Sequence, residues 1–242
     1  MIRRIAIGFL AGLAILMTNS VLAQDDMCFE RGGFWDAEAG QCRIQSALSV
    51  NIQYPLSLAD YPFADEIISA YIQQEQAQFL EFFADSAVSF MIEPLPWELD
   101  MTYETYRFSD HIVSLKFEIY QYTGGAHGIT YFKTFTFDLT QQRLITLDDI
   151  FMPQSNPFAI ISPLAQKQVQ ANLGEYAVED WIAEGTSGNP ANYENFVLTT
   201  EALVFFFPPY QVAPYVAGPQ TISIPLWQLN DVTNEPFHGA AE

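Results

Sequence analysis

The chain is poor in the residues on which most enzyme active sites depend. Among 242 residues it has only three histidines and two cysteines. The His-Glu-x-x-His pattern of zinc hydrolases does not occur, and residues 185–188 (GTSG) do not match the G-x-S-x-G nucleophile elbow of serine hydrolases. The sequence therefore contains no catalytic signature, and we predict no catalytic residue, no metal site and no cofactor.

Basic residues are also scarce. Nine lysines and arginines stand against 29 aspartates and glutamates, which gives a net charge of −20 at neutral pH. A field of this sign repels nucleic acids and anionic lipids and attracts basic partners. We therefore exclude nucleic acid as a partner, although acidity of this kind also serves simply to keep a secreted protein soluble.

Long apolar runs are absent from the chain except at its N-terminus. Arg3 and Arg4 precede the apolar stretch 5–17, and Val21-Leu22-Ala23 provides a small-residue cleavage site, so residues 1–23 predict a secretory signal peptide. The run is short for a membrane span and no basic residue directly follows it, although an uncleaved anchor is the alternative. We expect cleavage after Ala23, a secreted or periplasmic protein, and no membrane span thereafter.

The two cysteines, Cys28 and Cys42, flank a short loop. In an oxidising compartment, a pair so close in sequence predicts a disulfide, and closing a loop of this size contributes about 3 kcal/mol to stability. A metal site would need more ligands than this stretch offers. We therefore predict a disulfide-closed N-terminal segment over residues 24–45.

Apolar residues make up half of the sequence, and their spacing predicts the elements of the fold. Alternation of apolar and polar residues predicts a strand in 46–54 and a hairpin on both sides of the loop Thr123–Gly128. Helical spacing predicts helices in 60–83 and 156–173. The unbroken apolar run 203–207 favours a strand that is covered on both faces.

Within the predicted hairpin, one face is apolar and the other is polar. Ser114 and Lys116 on the first strand, and Thr134 and Thr136 on the second, occupy the polar face. We expect this face to be exposed to solvent, as is common in antiparallel sheets.

These patterns predict an α+β fold with a mainly antiparallel β-sheet and helices packed on one side of it, behind the disulfide-closed loop. We divide the chain after the disulfide-closed N-terminal segment into an N-terminal module, 46–140, and a C-terminal module, 141–230. Residues 231–242 have little to bury and are expected to form a flexible tail.

The loop of the hairpin is the first candidate binding site. Gly124 and Gly125 allow positive φ angles, and together with Gly128 they let the backbone approach a partner closely and present the imidazole of His127 at the tip. The alternative is that the ring nitrogens of His127 bind backbone carbonyls and only hold the loop together.

The second candidate is the proline-rich loop 208–218. Tyr210 and Tyr215, stiffened by Pro209 and Pro214, are suited to a rigid aromatic platform that binds protein or sugar at a low entropic cost. The alternative is a corner packed onto the sheet, with the two hydroxyl groups bound to the backbone.

Three segments in this order resemble one protein family. They are YTGGAHG at 122–128, the stretch from FDL to LITLDDIF at 137–151, and FVLT at 196–199 followed by PYQVAPYVAG at 209–218. Together they resemble the extracytoplasmic region of RsiV-like proteins, in which a module also found in PdaC-type peptidoglycan deacetylases precedes a C-terminal domain of unknown function. We recognise neither the cytoplasmic sigma-binding segment of RsiV nor a deacetylase catalytic domain in these 242 residues, so we do not expect transmembrane signalling or deacetylation. The resemblance implies a folded outer module that binds lysozyme or cell-wall material.

We therefore predict a non-enzymatic binding module that recognises a basic protein, such as a lysozyme, or a cell-wall glycan such as peptidoglycan. The predicted binding residues are Gly124, Gly125, His127, Tyr210 and Tyr215. A hydrolase of wall or other polysaccharide is the alternative, and it would need His127 beside a carboxylate and a hydroxyl in a cleft. A structural envelope domain, with neither a cleft nor a patch, is the third possibility.

Overall fold

The computed structural model describes residues 34–36, 41–43, 48–86 and 96–240. The chain divides into two units, the first ending at Ala47 and the second beginning at Leu48. In the first unit, strands β1 (Phe34–Asp36) and β2 (Gln41–Arg43) pair antiparallel. The predicted signal peptide and Cys28 lie outside the described residues, so the signal peptide and the disulfide both remain predictions.

The second unit is built on a five-stranded sheet with the strand order β3-β4-β5-β6-β7. Its strands are β3 (Leu48–Ile52), β4 (Trp97–Arg107), β5 (Ile112–Tyr122), β6 (Ile129–Asp138) and β7 (Arg143–Leu144). The pair β3–β4 is parallel and the other pairs are antiparallel. The mixed α+β class with a mostly antiparallel sheet is thus confirmed, and β5 and β6 form the predicted hairpin.

One face of this sheet is covered by helix α1 (Pro62–Ser86). The helix buries the apolar stripe that predicted it, including Ile68, Ile72 and Phe79. These side chains pack on the apolar residues of β4 and β5, which are Leu99, Met101, Leu115, Phe117 and Ile119. The helix therefore fixes the hairpin from one side.

The C-terminal half contributes a second sheet with its own helices. Helices α2 (Leu147–Ile150), α3 (Phe158–Leu173) and α4 (Glu179–Gly185) precede a three-stranded antiparallel sheet of β8 (Phe196–Leu198), β9 (Ala202–Phe207) and β10 (Gln220–Pro225). α3 packs on one face of this sheet, around Leu203, Phe205 and Phe207. On the other face, Phe206 meets Phe132 of β6. Burial on both faces of β9 explains its unbroken apolar run.

The polar face of the hairpin is buried, which corrects the expectation that it faces solvent. Ser114 and Thr134 are less than a tenth exposed, and each accepts a hydrogen bond from the backbone of β8: Leu198 N donates to Ser114 Oγ and Phe196 N to Thr134 Oγ1, both at 3.0 Å. Helix α1 therefore covers one face of the five-stranded sheet and the second sheet covers the other. Polar side chains on a strand were a misleading sign of exposure because here they serve as hydrogen-bond acceptors for an adjacent strand edge.

The segment after residue 230 is packed rather than free as far as Ala240. Thr233 bridges to Phe151, and Asn234 N donates to Ile150 O at 2.8 Å. Phe237 is buried against Phe108, with ring centroids 5.8 Å apart. The expectation of a flexible tail missed this single aromatic anchor, which lies in an otherwise polar stretch.

Candidate functional site

The hairpin loop between β5 and β6 is held by its glycines and by a tyrosine at its base. Gly124 and Gly125 have φ angles of 98° and 86°, which favour glycine. Tyr122 Oη donates to Gly125 O at 3.1 Å. Gly128 is buried, and a methyl group at this position would collide with the ring of Tyr120. The loop is therefore rigid where it presents His127.

The loop end of the hairpin is tied to α1 through a half-buried hydrogen-bond chain. Tyr131 Oη donates to the carboxylate of Glu75 at 2.7 Å, and Gln121 Nε2 donates to Tyr131 Oη at 2.7 Å. Burial, reinforced by the bond to Glu75, raises the pKa of Tyr131 far above its ordinary value. The phenol therefore remains a neutral donor at every physiological pH and keeps the hairpin in place over the helix.

The proline-rich loop is anchored on its buried side. Val212 and Ala213 are buried, and Gln211 Nε2 donates to Gly185 O at 3.0 Å and to Asn192 O at 2.9 Å. Tyr210 has a φ of 72°, an uncommon left-handed conformation for a tyrosine, and its backbone N donates to Ala213 O at 3.1 Å. The anchoring holds the strained residue in place and turns its side chain outward.

The two loops meet, and their aromatic side chains form one surface. The rings of His127 and Tyr215 stack with centroids 3.9 Å apart and an interplanar angle of 16°. Tyr210 continues the row, with its centroid 5.8 Å from that of Tyr215. We call His127, Tyr210 and Tyr215 the ring surface. Residues that are more than eighty positions apart in the sequence are thereby brought into direct contact.

The ring surface is open to solvent. Tyr210 is 46% exposed, His127 is exposed and Tyr215 is half-buried. Within the described residues, neither tyrosine hydroxyl has a hydrogen-bond partner. In the alternative, a corner packed onto the sheet, both hydroxyl groups would bind the backbone. Beside Tyr215, Val216 is 73% exposed, and the sequence analysis did not single it out. An apolar valine flanked by tyrosine and alanine gave no sequence signal of exposure.

His127 takes part in no catalytic arrangement within the described residues. Its Nδ1 donates to the neighbouring carbonyl of Gly128 at 2.9 Å, and its ring face lies on Tyr215. Within the described residues it makes no hydrogen bond to a carboxylate or to a hydroxyl, which the hydrolase alternative requires. His111 lies in an exposed turn, and His238 Nε2 binds Thr233 O at 3.0 Å. The arrangement around His127 thus suits binding through flat rings rather than proton transfer.

The described residues contain no cluster of three or more His, Cys, Asp or Glu side chains that could hold a metal ion. The helices among them are too short or too polar to cross a membrane.

Two family models match consecutive parts of the chain. The model described as deacetylase PdaC matches residues 44–130, and the model described as a protein of unknown function, DUF3298, matches residues 148–226. A crystal structure of a DUF3298 family protein from Pseudomonas aeruginosa has the same fold, with a TM-score of 0.54 at 20% identity over 83% of this chain and 89% of that one. A PdaC-like and a DUF3298 region are therefore both present.

Whole-chain relatives come from Mycobacterium tuberculosis. The immunogenic protein MPT64 is 30% identical over 234 residues, which cover 92% of this chain and 96% of MPT64. The esterase Rv3036c is 28% identical over 207 residues, which cover 82% of this chain and 85% of the esterase. The peptidoglycan-N-acetylmuramic acid deacetylase PdaC of Bacillus subtilis is 31% identical over 140 residues, which cover 58% of this chain but only 30% of PdaC.

Proposed function

This chain belongs to the family of the immunogenic protein MPT64, and we propose that it works outside the cytoplasm as a binding module for cell-wall glycan. The observation that carries the proposal is the ring surface, in which the rings of His127, Tyr215 and Tyr210 form one row and the two tyrosine hydroxyl groups have no hydrogen-bond partner within the described residues. Pyranose rings have apolar faces and a rim of hydroxyls, so such a surface matches them in both respects. The similarity to PdaC, which acts on peptidoglycan, and the predicted signal peptide support the same setting.

Rigidity supports binding rather than a passive role for this surface. The hydrogen bond from Tyr122 to Gly125 in one loop, the hydrogen bonds of Gln211 in the other and the stacking between the loops hold the rings in a fixed arrangement before any ligand arrives. A preformed surface loses little conformational entropy on binding, and more of its contact energy therefore contributes to affinity. The structural-domain alternative gives no reason for placing two exposed rings beside a half-buried one.

The second candidate is recognition of a basic protein such as a lysozyme, as the resemblance to RsiV-like proteins implies. The net charge of −20 favours it, because an acidic surface attracts a cationic protein and raises its association rate. The ring surface is compatible with this partner too, since tyrosine is enriched among the residues that dominate protein interfaces.

The glycan proposal is tested by co-sedimentation of the mature chain, without residues 1–23, with insoluble peptidoglycan. Truncation of an aromatic anchor typically costs about 2 kcal/mol or more, so Tyr215→Ala should weaken binding about 30-fold. Tyr176→Ala is the matched control, because Tyr176 is 49% exposed and lies outside the ring surface. Equal binding by the Tyr215→Ala variant, or no binding by the wild type, would overturn the proposal.

The other functions are separated by two parallel measurements. Binding to immobilised lysozyme that weakens steeply with salt and is unaffected by Tyr215→Ala would instead assign a charge-driven protein partner. Hydrolysis of p-nitrophenyl butyrate that disappears in the His127→Ala variant would assign an esterase, as the similarity to Rv3036c allows.

A further inference from the structure

Within the part of the chain that the structure describes, most of β6 has no strand partner on the side away from β5. β7 pairs only with Phe137 and Asp138, and Ile145 N adds a bond to Thr136 O at 2.8 Å. Because Thr136 directs its carbonyl away from β5, the other even-numbered residues of β6 direct their backbone groups the same way. The bond from Leu139 N to His111 O fits this alternation, because it places the odd-numbered residues towards β5. The N–H and C=O groups of Thr130, Phe132 and Thr134 therefore point outward from the sheet.

These outward groups have no backbone partner within the described residues. The remaining backbone hydrogen bonds of loops, turns and caps do not include them, and β8 lies against the side chains of β6, not its edge. We call residues Thr130–Thr134 of β6 the open edge. A row of unpaired donors and acceptors on a regular strand is a template for adding another strand.

A cavity lies alongside the C-terminal part of this strand. Its volume is about 370 Å³, and its walls include residues 133–136 of β6. The rest of the wall is mainly apolar, with Leu144, Leu147, Pro190 and Phe196. A strand that paired with the open edge would run past this cavity, and every second side chain of it would point to the same face. One apolar side chain of an added strand therefore has a place to be buried.

The charged side chains around the cavity indicate which kind of added strand would bind there. Asp148 and Glu194 line it, are exposed, and have no ion-pair partner within the described residues. Lys133 is the basic side chain of the wall, and its Nζ lies 5.5 Å from the ring centroid of Phe135. Two carboxylates and one lysine therefore line this cavity, in a chain with a net charge of −20. A basic segment is complementary to this rim and an acidic one is not.

We propose that the open edge binds an extended basic peptide segment of a partner protein by strand addition. The backbone of the peptide pairs with Thr130, Phe132 and Thr134, an apolar side chain enters the cavity, and basic side chains meet Asp148 and Glu194. Main-chain hydrogen bonds give such complexes their affinity and the pocket gives them specificity. The site does not include the ring surface, and it stands or falls independently of the glycan proposal.

The test uses a fluorescein-labelled octapeptide of alternating lysine and valine, titrated with the mature chain and followed by fluorescence anisotropy. A matched octapeptide carries N-methyl groups on its valines, which removes the donors that one edge of a strand presents. We expect the methylated peptide to bind at least ~10-fold more weakly. Equal affinity of the two peptides, or no binding of the parent peptide up to about 1 mM, would overturn the proposal.

Protein variants test the two halves of the site separately. Asp148→Asn combined with Glu194→Gln should weaken binding at least ~10-fold, whereas Asp110→Asn combined with Glu175→Gln changes exposed acids outside the cavity and should leave it unchanged. Thr130→Pro removes an outward N–H without removing a ladder bond to β5, and it should also weaken binding. Equal effects of the two acidic pairs would show non-specific charge attraction and would overturn the proposal.

Amide hydrogen exchange locates the peptide. Added peptide should slow exchange at Thr130, Phe132 and Thr134, and the Tyr215→Ala variant should respond as the wild type does. Protection elsewhere but not at these three amides would overturn the proposal. Self-association through this edge would also overturn it. Analytical ultracentrifugation would then show a dimer, and dimer formation would protect the same three amides in the absence of peptide.

Discussion

The hydroxyl of Ser114 provides a sharp test of how the two sheets are joined. Ser114 and Leu198 are both fully buried, and Ser114 Oγ accepts the N–H of Leu198 at 3.0 Å. It also shares a hydrogen bond with Thr136 Oγ1 at 2.8 Å. Ser114→Ala removes one oxygen atom and leaves both neighbours without a partner, in a place where water cannot reach them.

The expected cost follows from these two groups. A buried donor or acceptor left unsatisfied costs about 1–3 kcal/mol. The hydroxyl of Thr136 can rotate and recover part of its bond, so we expect a loss of about 2–4 kcal/mol in the free energy of unfolding. For a unit of this size, each kcal/mol lowers Tm by about 2–4 °C, which corresponds to a decrease of about 4–16 °C.

Thermal unfolding followed by circular dichroism and by tryptophan fluorescence measures this change, and coincidence of the two curves checks for two-state behaviour. Ser223→Ala is the control, because Ser223 lies on β10 with an exposed side chain, and its substitution should change the free energy of unfolding by less than about 0.5 kcal/mol. If Ser114→Ala and Ser223→Ala unfold at the same temperature, the hydroxyl does not hold β8 on the hairpin and the proposed junction is wrong.

Three other substitutions test the charge, the loop and the tail. The hydrogen bond from Lys116 holds the pKa of Glu104 below its ordinary value, so its carboxylate stabilises the fold at neutral pH and this contribution is lost as the pH falls through the lowered pKa. The Tm values of wild type and Glu104→Gln should therefore differ at pH 7 and converge towards about pH 2, and a difference that is constant with pH would contradict this. Gly128→Ala places a methyl group against the ring of Tyr120 and should lower the free energy of unfolding by about 1–3 kcal/mol in urea titrations, while an unchanged midpoint would show that the ring moves aside freely. Phe237→Ala empties a buried site and should cost about 3 kcal/mol by the same measurement, unless the C-terminal segment contributes nothing to the fold.

The elements of the fold follow from local patterns in the sequence, whereas their assembly does not. Alternation identified the hairpin and helical spacing identified α1, because each element buries one face against a neighbour. The same alternation indicated a solvated face for Ser114 and Thr134, since polarity alone cannot distinguish water from a buried N–H as the hydrogen-bond partner. That distinction depends on β8, which lies more than sixty residues further along the chain.

The candidate site was predictable in its parts but not in its arrangement. Glycines around His127 identify a loop that can adopt positive φ angles, and prolines around Tyr210 and Tyr215 identify a stiffened loop, because glycine permits and proline restricts particular backbone angles. The stacking of His127 on Tyr215 required the docking of one loop on the other, and nothing local in either loop encodes it. The open edge was missed for a related reason, because a strand pattern does not show which strands have two neighbours.

The ring surface exists only because the two regions of the chain are joined. His127 lies in the part that matches deacetylase PdaC, residues 44–130, and both tyrosines lie in the part that matches DUF3298, residues 148–226. The contact between the rings spans this division at 3.9 Å, and the buried bonds from β8 to Ser114 and Thr134 hold the two parts in register. A PdaC-like region without the second part would present His127 alone, without the two tyrosine rings of the ring surface. The proposed binding therefore requires both regions. It depends on the hydroxyl groups of Ser114 and Thr134, which join the two sheets, as well as on the rings.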